Sequence, residues 1–377
     1  MTVADEDAKK VRNREHLEKA IATHRAARAR RLAELQRQEA VLTDAVAKTQ
    51  QIDASNGEPV MIPRGFVALS TARTPFGLWE ESPVASSEAS VDRKRELATR
   101  PPLTRLVNRD HHAIRLLLTI LYVAQQETSP GTAYINNRPN HARVTGSDIQ
   151  PWSALTAIRR DGGNARARRL RLVRALQALE RLGIVNPHYV DGTARWEGFE
   201  ARSADGADRA ATVISTQASP AVAVEVPSGF FYNGWHLVLT PAELAMYLAI
   251  VDLTAQLPLA AEGVAFPIVV RRGIYGITDG VYQTIHMLEE FGLIDIVDTV
   301  KNRNRGKIKG FDADTKAPEP YRIVYPGEDT KNRMGHPAIS TAIRRLKMYP
   351  DPPRLDGQLD LDAIEFPQFS LLTTNSD

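Results

Sequence analysis

The sequence predicts an α+β fold that is mainly α, with a long N-terminal helix and two units in which helices are followed by a β-hairpin. Residues 4–52 contain neither glycine nor proline and are rich in strong helix formers. Further along, apolar residues recur at intervals of three and four until a glycine ends the pattern and an extended segment begins. This order occurs twice, which indicates a duplicated unit.

Composition narrows the class of protein. The chain has 377 residues, of which 43% are hydrophobic and 25% charged, so we expect at least two domains. It has no cysteine, which excludes disulfides, thiolate metal sites, iron–sulfur clusters and cysteine nucleophiles. No apolar run approaches the length of a membrane span, and the first residues are acidic where a signal peptide is basic. We therefore expect a cytoplasmic protein with no membrane partner.

Residues 1–53 predict a long charged helix with an apolar seam. The seam keeps a seven-residue rhythm but is interrupted by Arg25, Arg28 and Glu39, so it predicts a weak coiled coil and a weak homodimer. Its members are Ile21, Leu32, Leu35, Leu42 and Val46. The helix also carries a cluster of basic residues that predicts contacts with phosphate groups. This cluster consists of His24, Arg25, Arg28, Arg30 and Arg31.

Residues 54–103 predict a linker, because they show no sustained period and are rich in Ser, Pro, Glu and Gly. Within it, residues 61–79 are apolar enough to dock on a domain as a short strand or a peptide arm.

Residues 104–200 predict the first unit. An apolar stripe indicates a helix that ends near Gln126, a short helix follows around residues 153–159, and a long helix runs from Asn164 to Leu182. Gly183 ends that helix, and Asp191 with Gly192 between two extended runs predicts a hairpin turn.

Residues 201–235 predict a second linker, and residues 236–326 repeat the first unit. Thr240 before Pro241 predicts the start of a helix that continues to about residue 256, and another helix spans residues 279–291. The hairpin has strands at 293–297 and 321–325 and its tip at 301–307. Residues 327–377 predict a C-terminal helix and an acidic tail.

The ends of the two long helices support the duplication. Setting LVRALQALERLGIV (172–185) over VYQTIHMLEEFGLI (281–294) matches a leucine, a glutamate and a glycine, and apolar positions coincide at five further places. A three-helix unit that ends in this way and runs into a hairpin resembles the winged helix-turn-helix superfamily. Two such units in one chain look like plasmid replication initiator proteins, and also like tandem winged-helix subunits attached to chromosome-condensing complexes. The first likeness implies duplex DNA as the partner, and the second implies another polypeptide.

The first unit carries the stronger DNA-binding signal. Residues 104–200 hold 14 arginines, no lysine and 8 acidic residues, and arginine suits bidentate contacts with phosphate or guanine. In a winged helix-turn-helix, the N-terminal half of the third helix enters the major groove. The start of this helix is basic, whereas leucines supply its buried stripe further along. The candidate DNA-binding residues here are Asn164, Arg166, Arg168, Arg169, Arg171 and Arg174.

The second unit contains fewer basic candidates for DNA binding on its helix than the first unit does. Its corresponding helix is expected to expose Tyr282, Gln283 and His286, and Arg271 and Arg272 precede that helix as phosphate anchors. The hairpin tip is rich in donors that suit a phosphate backbone or a minor groove. The candidates in the tip are Lys301, Arg303, Arg305 and Lys307.

Catalytic patterns are weak, so the sequence predicts no enzyme, no cofactor and no metal site. No phosphate-binding glycine loop is present, and the adjacent His111 and His112 at a helix start point about 100° apart. Asp360 and Asp362 lie in a proline-flanked acidic tail. The expected function is sequence-specific binding of double-stranded DNA by a plasmid or mobile-element protein, in replication initiation or transcriptional regulation, with replication or partition proteins as further partners. The alternative is a protein-interaction subunit of a chromosome or plasmid maintenance complex.

Overall fold

The fold is mainly helical with small antiparallel sheets, which confirms the predicted α+β, mainly α class. It is seen in a computed structural model that describes residues 3–52, 57–69, 100–107, 111–141, 149–158, 165–205, 209–257, 263–268, 270–297, 303–304, 307–308, 321–326 and 333–348.

The N-terminal part begins with the predicted long helix, and the second half of this helix packs into the core. The elements up to residue 107 are α1 (Val3–Gln50), β1 (Val60–Pro63), α2 (Arg64–Val67) and α3 (Pro102–Leu106). Leu35, Leu42 and Val46 are buried against the rest of the same chain. The seam that predicted a homodimer is therefore occupied within the chain; the side chains of Ile21 and His24 lie outside the described part.

The first unit has the predicted order of elements. These are α4 (His111–Glu127), α5 (Trp152–Leu155), α6 (Ala165–Glu180), β2 (Val185–Val190) and β3 (Thr193–Ala201). Asp191 and Gly192 both have positive φ, 50° and 72°, as a two-residue hairpin turn with right-handed strand twist requires. The register of the hairpin shifts at Pro187, which has no N–H to donate to the ladder.

The described part of residues 201–235, expected as a linker, contributes several buried residues to the core. They contain β4 (Ala223–Val226) and α7 (Ser228–Tyr232), and α8 (Trp235–Val238) and α9 (Pro241–Gln256) follow. β4 pairs antiparallel with β1, so the start of the expected docking segment does bind as a strand. Phe230 and Phe231 are fully buried. The linker prediction for this stretch is corrected, because β4 and α7 lie in it and three of its four aromatic residues, Phe230, Phe231 and Trp235, are buried.

The helix α9 begins as predicted. The Glu243 backbone N–H donates to the Thr240 hydroxyl at 3.2 Å, and the Thr240 N–H donates to the Glu243 carboxylate at 2.7 Å. This capping box satisfies two N–H groups that a helix start leaves without partners.

The second unit departs from prediction in the helix expected over residues 279–291. Its elements are β5 (Val264–Ala265), a π-helical turn (Val270–Ile274), α10 (Asp279–Tyr282), α11 (Ile285–Glu290), β6 (Asp295–Val297), β7 (Arg303–Asn304), β8 (Lys307–Ile308) and β9 (Arg322–Val324). The single helix predicted over 279–291 is broken between α10 and α11, where the Thr284 hydroxyl donates to the Val281 carbonyl at 2.7 Å. β9 pairs with both β5 and β6, and α12 (Ala338–Met348) packs against α1.

The ends of α6 and α11 are equivalent. Gly183 and Gly292 have φ of 70° and 77°, and each donates its N–H to the carbonyl three residues earlier at 2.8 Å. Ile184 and Leu293 donate to carbonyls five residues earlier at 3.0 and 2.9 Å. Both helices thus end in the glycine cap that the sequence predicted.

Candidate nucleic-acid interface

Helix α6 separates a charged face from a buried face. Leu172, Leu176 and Leu179 are fully buried. Arg166 and Arg174 are exposed on the face away from these leucines, Arg169 is exposed at the edge of the leucine face, and Arg168 and Arg171 are partly buried. The structure therefore places two of the six predicted residues, Arg166 and Arg174, on the exposed face opposite the leucines, while Asn164 lies outside the described residues.

The loop before α5 ties this helix unit to the hairpin. The Asn136 amide donates to the Phe199 carbonyl at 3.1 Å, and the Asn140 amide donates to the Trp196 carbonyl at 2.9 Å. Trp152, fully buried, donates its indole N–H to the Asn136 side-chain oxygen at 3.1 Å. These bonds satisfy polar groups that would otherwise be buried without partners, and they position the loop beside the start of α6.

His141 at the end of this loop belongs to the charged surface, although sequence reasoning missed it. Burial lowers the pKa of its imidazole, and the nearby Arg168 and Arg169 guanidiniums lower that pKa further, while Glu197 opposes them. His141 is therefore mainly neutral near pH 7. No local sequence pattern could have identified it, since the loop folds back from a distant part of the chain.

The hairpin is attached to the far end of α6. The Tyr189 hydroxyl donates to the Glu180 carboxylate at 2.7 Å, which raises the pKa of Tyr189. Arg181, just beyond α6, is exposed and extends the arginine surface by about 10 Å from Arg174. The sequence indicates this position of Arg181 by its spacing of seven residues from Arg174, because seven residues are about two helical turns and keep both arginines on the same face of α6.

The second unit uses its predicted phosphate anchors internally. Arg271 and Arg272 both contact the Asp279 carboxylate, at 2.5 and 2.8 Å. The Arg271 guanidinium also lies 4.8 Å from the centre of the Tyr282 ring. The predicted exposure of Tyr282 was wrong, because this ring is only 8% exposed and packs into the core.

The remaining candidates of the second unit are scattered. Gln283 is exposed, whereas His286 is partly buried and meets the Tyr321 ring edge-on at 5.8 Å between ring centres. Arg303 and Lys307 lie in the paired strands β7 and β8. Lys301 and Arg305 fall in the undescribed part of the hairpin tip.

The basic cluster of α1 points partly inward. Arg28 forms a two-pronged ion pair with Glu290 of α11, and both side chains are buried. Arg31 donates to the Val238 carbonyl at 2.7 Å and to the Glu243 carboxylate at 3.2 Å. The suggestion that these two arginines contact phosphate is therefore corrected, because their charges are satisfied within the chain; Arg25 and Arg30 are exposed.

Other kinds of site find no support among the described residues. There, no three His, Asp or Glu side chains come together as metal ligands. No helix in the same ranges is both long and apolar enough to cross a bilayer. Comparison with known proteins gave no match to a family model, to a curated protein or to a solved structure.

Proposed function

We propose that the chain binds double-stranded DNA sequence-specifically, with α6 as the reading helix of a winged helix-turn-helix unit over residues 104–200. The observation that carries the proposal is the exposed arginine face of α6 opposite its buried leucines. A helix of this width fits the major groove of B-DNA, where arginine pairs with guanine O6 and N7.

The dimensions of the surface suit the proposal. From Arg166 to Arg181 the helix axis rises about 22 Å, so its ends can reach phosphates on both sides of a groove about 12 Å wide. Arg166 and Arg174 lie closest to the centre of this surface and are the candidates for base contacts. Arg181 and Arg195 of the hairpin, both exposed, are the candidates for phosphate contacts.

The second unit, residues 236–326, is proposed as a second winged helix with a supporting role. Asp279 neutralises part of the charge of Arg271 and Arg272, so its reading helix presents less positive potential than α6. Contacts of this unit with DNA would then come mainly from the basic hairpin tip, as phosphate contacts.

A protein-interaction subunit remains the second candidate. The observation that favours it is α1, which continues as a helix toward the N-terminus with Ala22, Thr23 and residues 25–27 exposed. An exposed helical arm of this kind suits a replication or partition protein as partner.

Salt dependence tests the main proposal. Log affinity for duplex DNA should fall linearly with log salt, and Arg181→Gln with Arg195→Gln should reduce the slope by about 0.9 for each phosphate that the variant no longer neutralises. Arg344→Gln is the matched control, because Arg344 is an exposed arginine on another helix, α12. No detectable binding to any duplex at about 50 mM salt, or an equal effect of the control, would contradict the proposal.

The identity of the selected sites then separates the biological roles. Plasmid or mobile-element replication predicts tandem repeats near an origin among DNA fragments that the protein enriches. Transcriptional regulation predicts a single site or a palindrome at a promoter.

A further inference from the structure

We infer that Leu170 is a specificity-determining residue that contacts the C5-methyl group of a pyrimidine in the major groove, and this inference rests on the proposed function. The Leu170 side chain is 47% exposed, whereas Leu172, Leu176 and Leu179 of the same helix are fully buried. The hydrophobic effect places those three leucines in the core, but packing in the core does not explain why a leucine stands at the exposed position 170.

Leu170 lies among the exposed arginines. It is four residues from both Arg166 and Arg174, so all three share one face of α6, with about 6 Å of axial rise between neighbours. The direction opposite the buried leucines passes close to residue 170, since successive residues turn by about 100°. A duplex held by the two arginines would thus bring its base edges against Leu170.

One chemical group in the major groove fits this position. Thymine presents a C5-methyl group there, and cytosine does not, while the remaining groups on the base edges are hydrogen-bond donors and acceptors. Leucine can make neither kind of hydrogen bond, so contact with a donor or acceptor would leave that group without a partner. The preferred ligand is therefore duplex DNA with thymine at the position facing Leu170. The methyl group of 5-methylcytosine is chemically equivalent in this contact.

Removal of single methyl groups from the DNA tests the inference. The probes are duplexes that the wild-type protein selects from a random pool, with each thymine replaced in turn by deoxyuridine, which lacks the C5-methyl group. At one or two positions we expect the Kd to rise about fourfold per methyl group removed. In the Leu170→Ala variant, replacement of the same thymine by deoxyuridine should change the Kd less than about 1.5-fold, because alanine buries only a small part of the methyl group.

Ile135→Ala is the matched control. Ile135 is 81% exposed but lies on the loop before α5, so this variant should retain the full sensitivity to deoxyuridine. Circular dichroism and thermal unfolding establish that both variants fold like the wild type.

The outcomes separate this inference from the proposed function. Binding of selected duplexes without loss at any deoxyuridine overturns the role of Leu170 and leaves DNA binding intact. An equal loss for wild type and Leu170→Ala also overturns it, because another residue would then contact the methyl group. Failure to bind any duplex overturns both the inference and the proposed function.

Discussion

The buried seam of α1 allows a direct test of the role of the long helix. Leu42 is 1% exposed and lies in the core with Leu35, which is 3% exposed. Packing around this region leaves little space, because a Cβ added to Gly234 would lie 2.3 Å from a methyl carbon of Val46. A cavity left by Leu42→Ala is therefore expected to collapse only in part, which places the loss of unfolding free energy at about 3 kcal/mol.

Urea unfolding followed by circular dichroism measures this loss. The control is Glu39→Ala, since Glu39 is exposed on the same helix and its removal should change the free energy by less than about 0.5 kcal/mol. The double variant Leu35→Ser with Leu42→Ser should lose about 6 kcal/mol or more, a large part of the usual 5–15 kcal/mol of a folded protein. A Leu42→Ala effect no larger than that of Glu39→Ala would refute the view that α1 is part of the core. A separate unfolding transition for α1 would refute it as well.

Three further predictions concern buried charge, backbone and pH. Arg28→Ala should lower the free energy of unfolding in urea by about 3–5 kcal/mol, because the buried Glu290 loses its cation. The double variant Arg28→Met with Glu290→Met should lower it by less, because no buried charge is left without a partner. A larger loss for the double variant than for Arg28→Ala would contradict the role of the ion pair. Gly234→Ala should lower the Tm by several degrees, since Gly234 has a φ of 82° and its added Cβ would meet Val46, and an unchanged Tm would contradict this account. Burial lowers the pKa of His236 from 6.5 to about 3, so the unfolded chain takes up a proton at a higher pH than the folded chain does. The free energy of unfolding should therefore fall by about 2 kcal/mol between pH 7 and pH 5. His236→Phe should remove that part of the pH dependence. An equal pH slope in the variant would show that His236 does not carry it.

Local patterns in the sequence were sufficient for most elements. The absence of glycine and proline predicted α1, the capping residues predicted α9, and Asp191 with Gly192 predicted the first hairpin. These signals act within one or two turns of chain, so they do not depend on what the segment packs against. The arginine face of α6 was predictable for the same reason, because helical periodicity alone separates Arg166 and Arg174 from the buried leucines.

Contacts between distant residues decided the rest. The sequence contains Arg28 and Tyr282 as groups able to bind phosphate or base, but only the folded chain pairs Arg28 with Glu290, 262 residues away, and packs the Tyr282 ring into the core. Likewise, β1 and β4 are 160 residues apart, so their pairing left no local signature and 201–235 resembled a linker. The sequence determined most of the longer helices, the first hairpin and which face of α6 is charged. Tertiary structure alone decided which charges remain at the surface, because a buried ion needs a partner of opposite charge and that partner can come from any part of the chain.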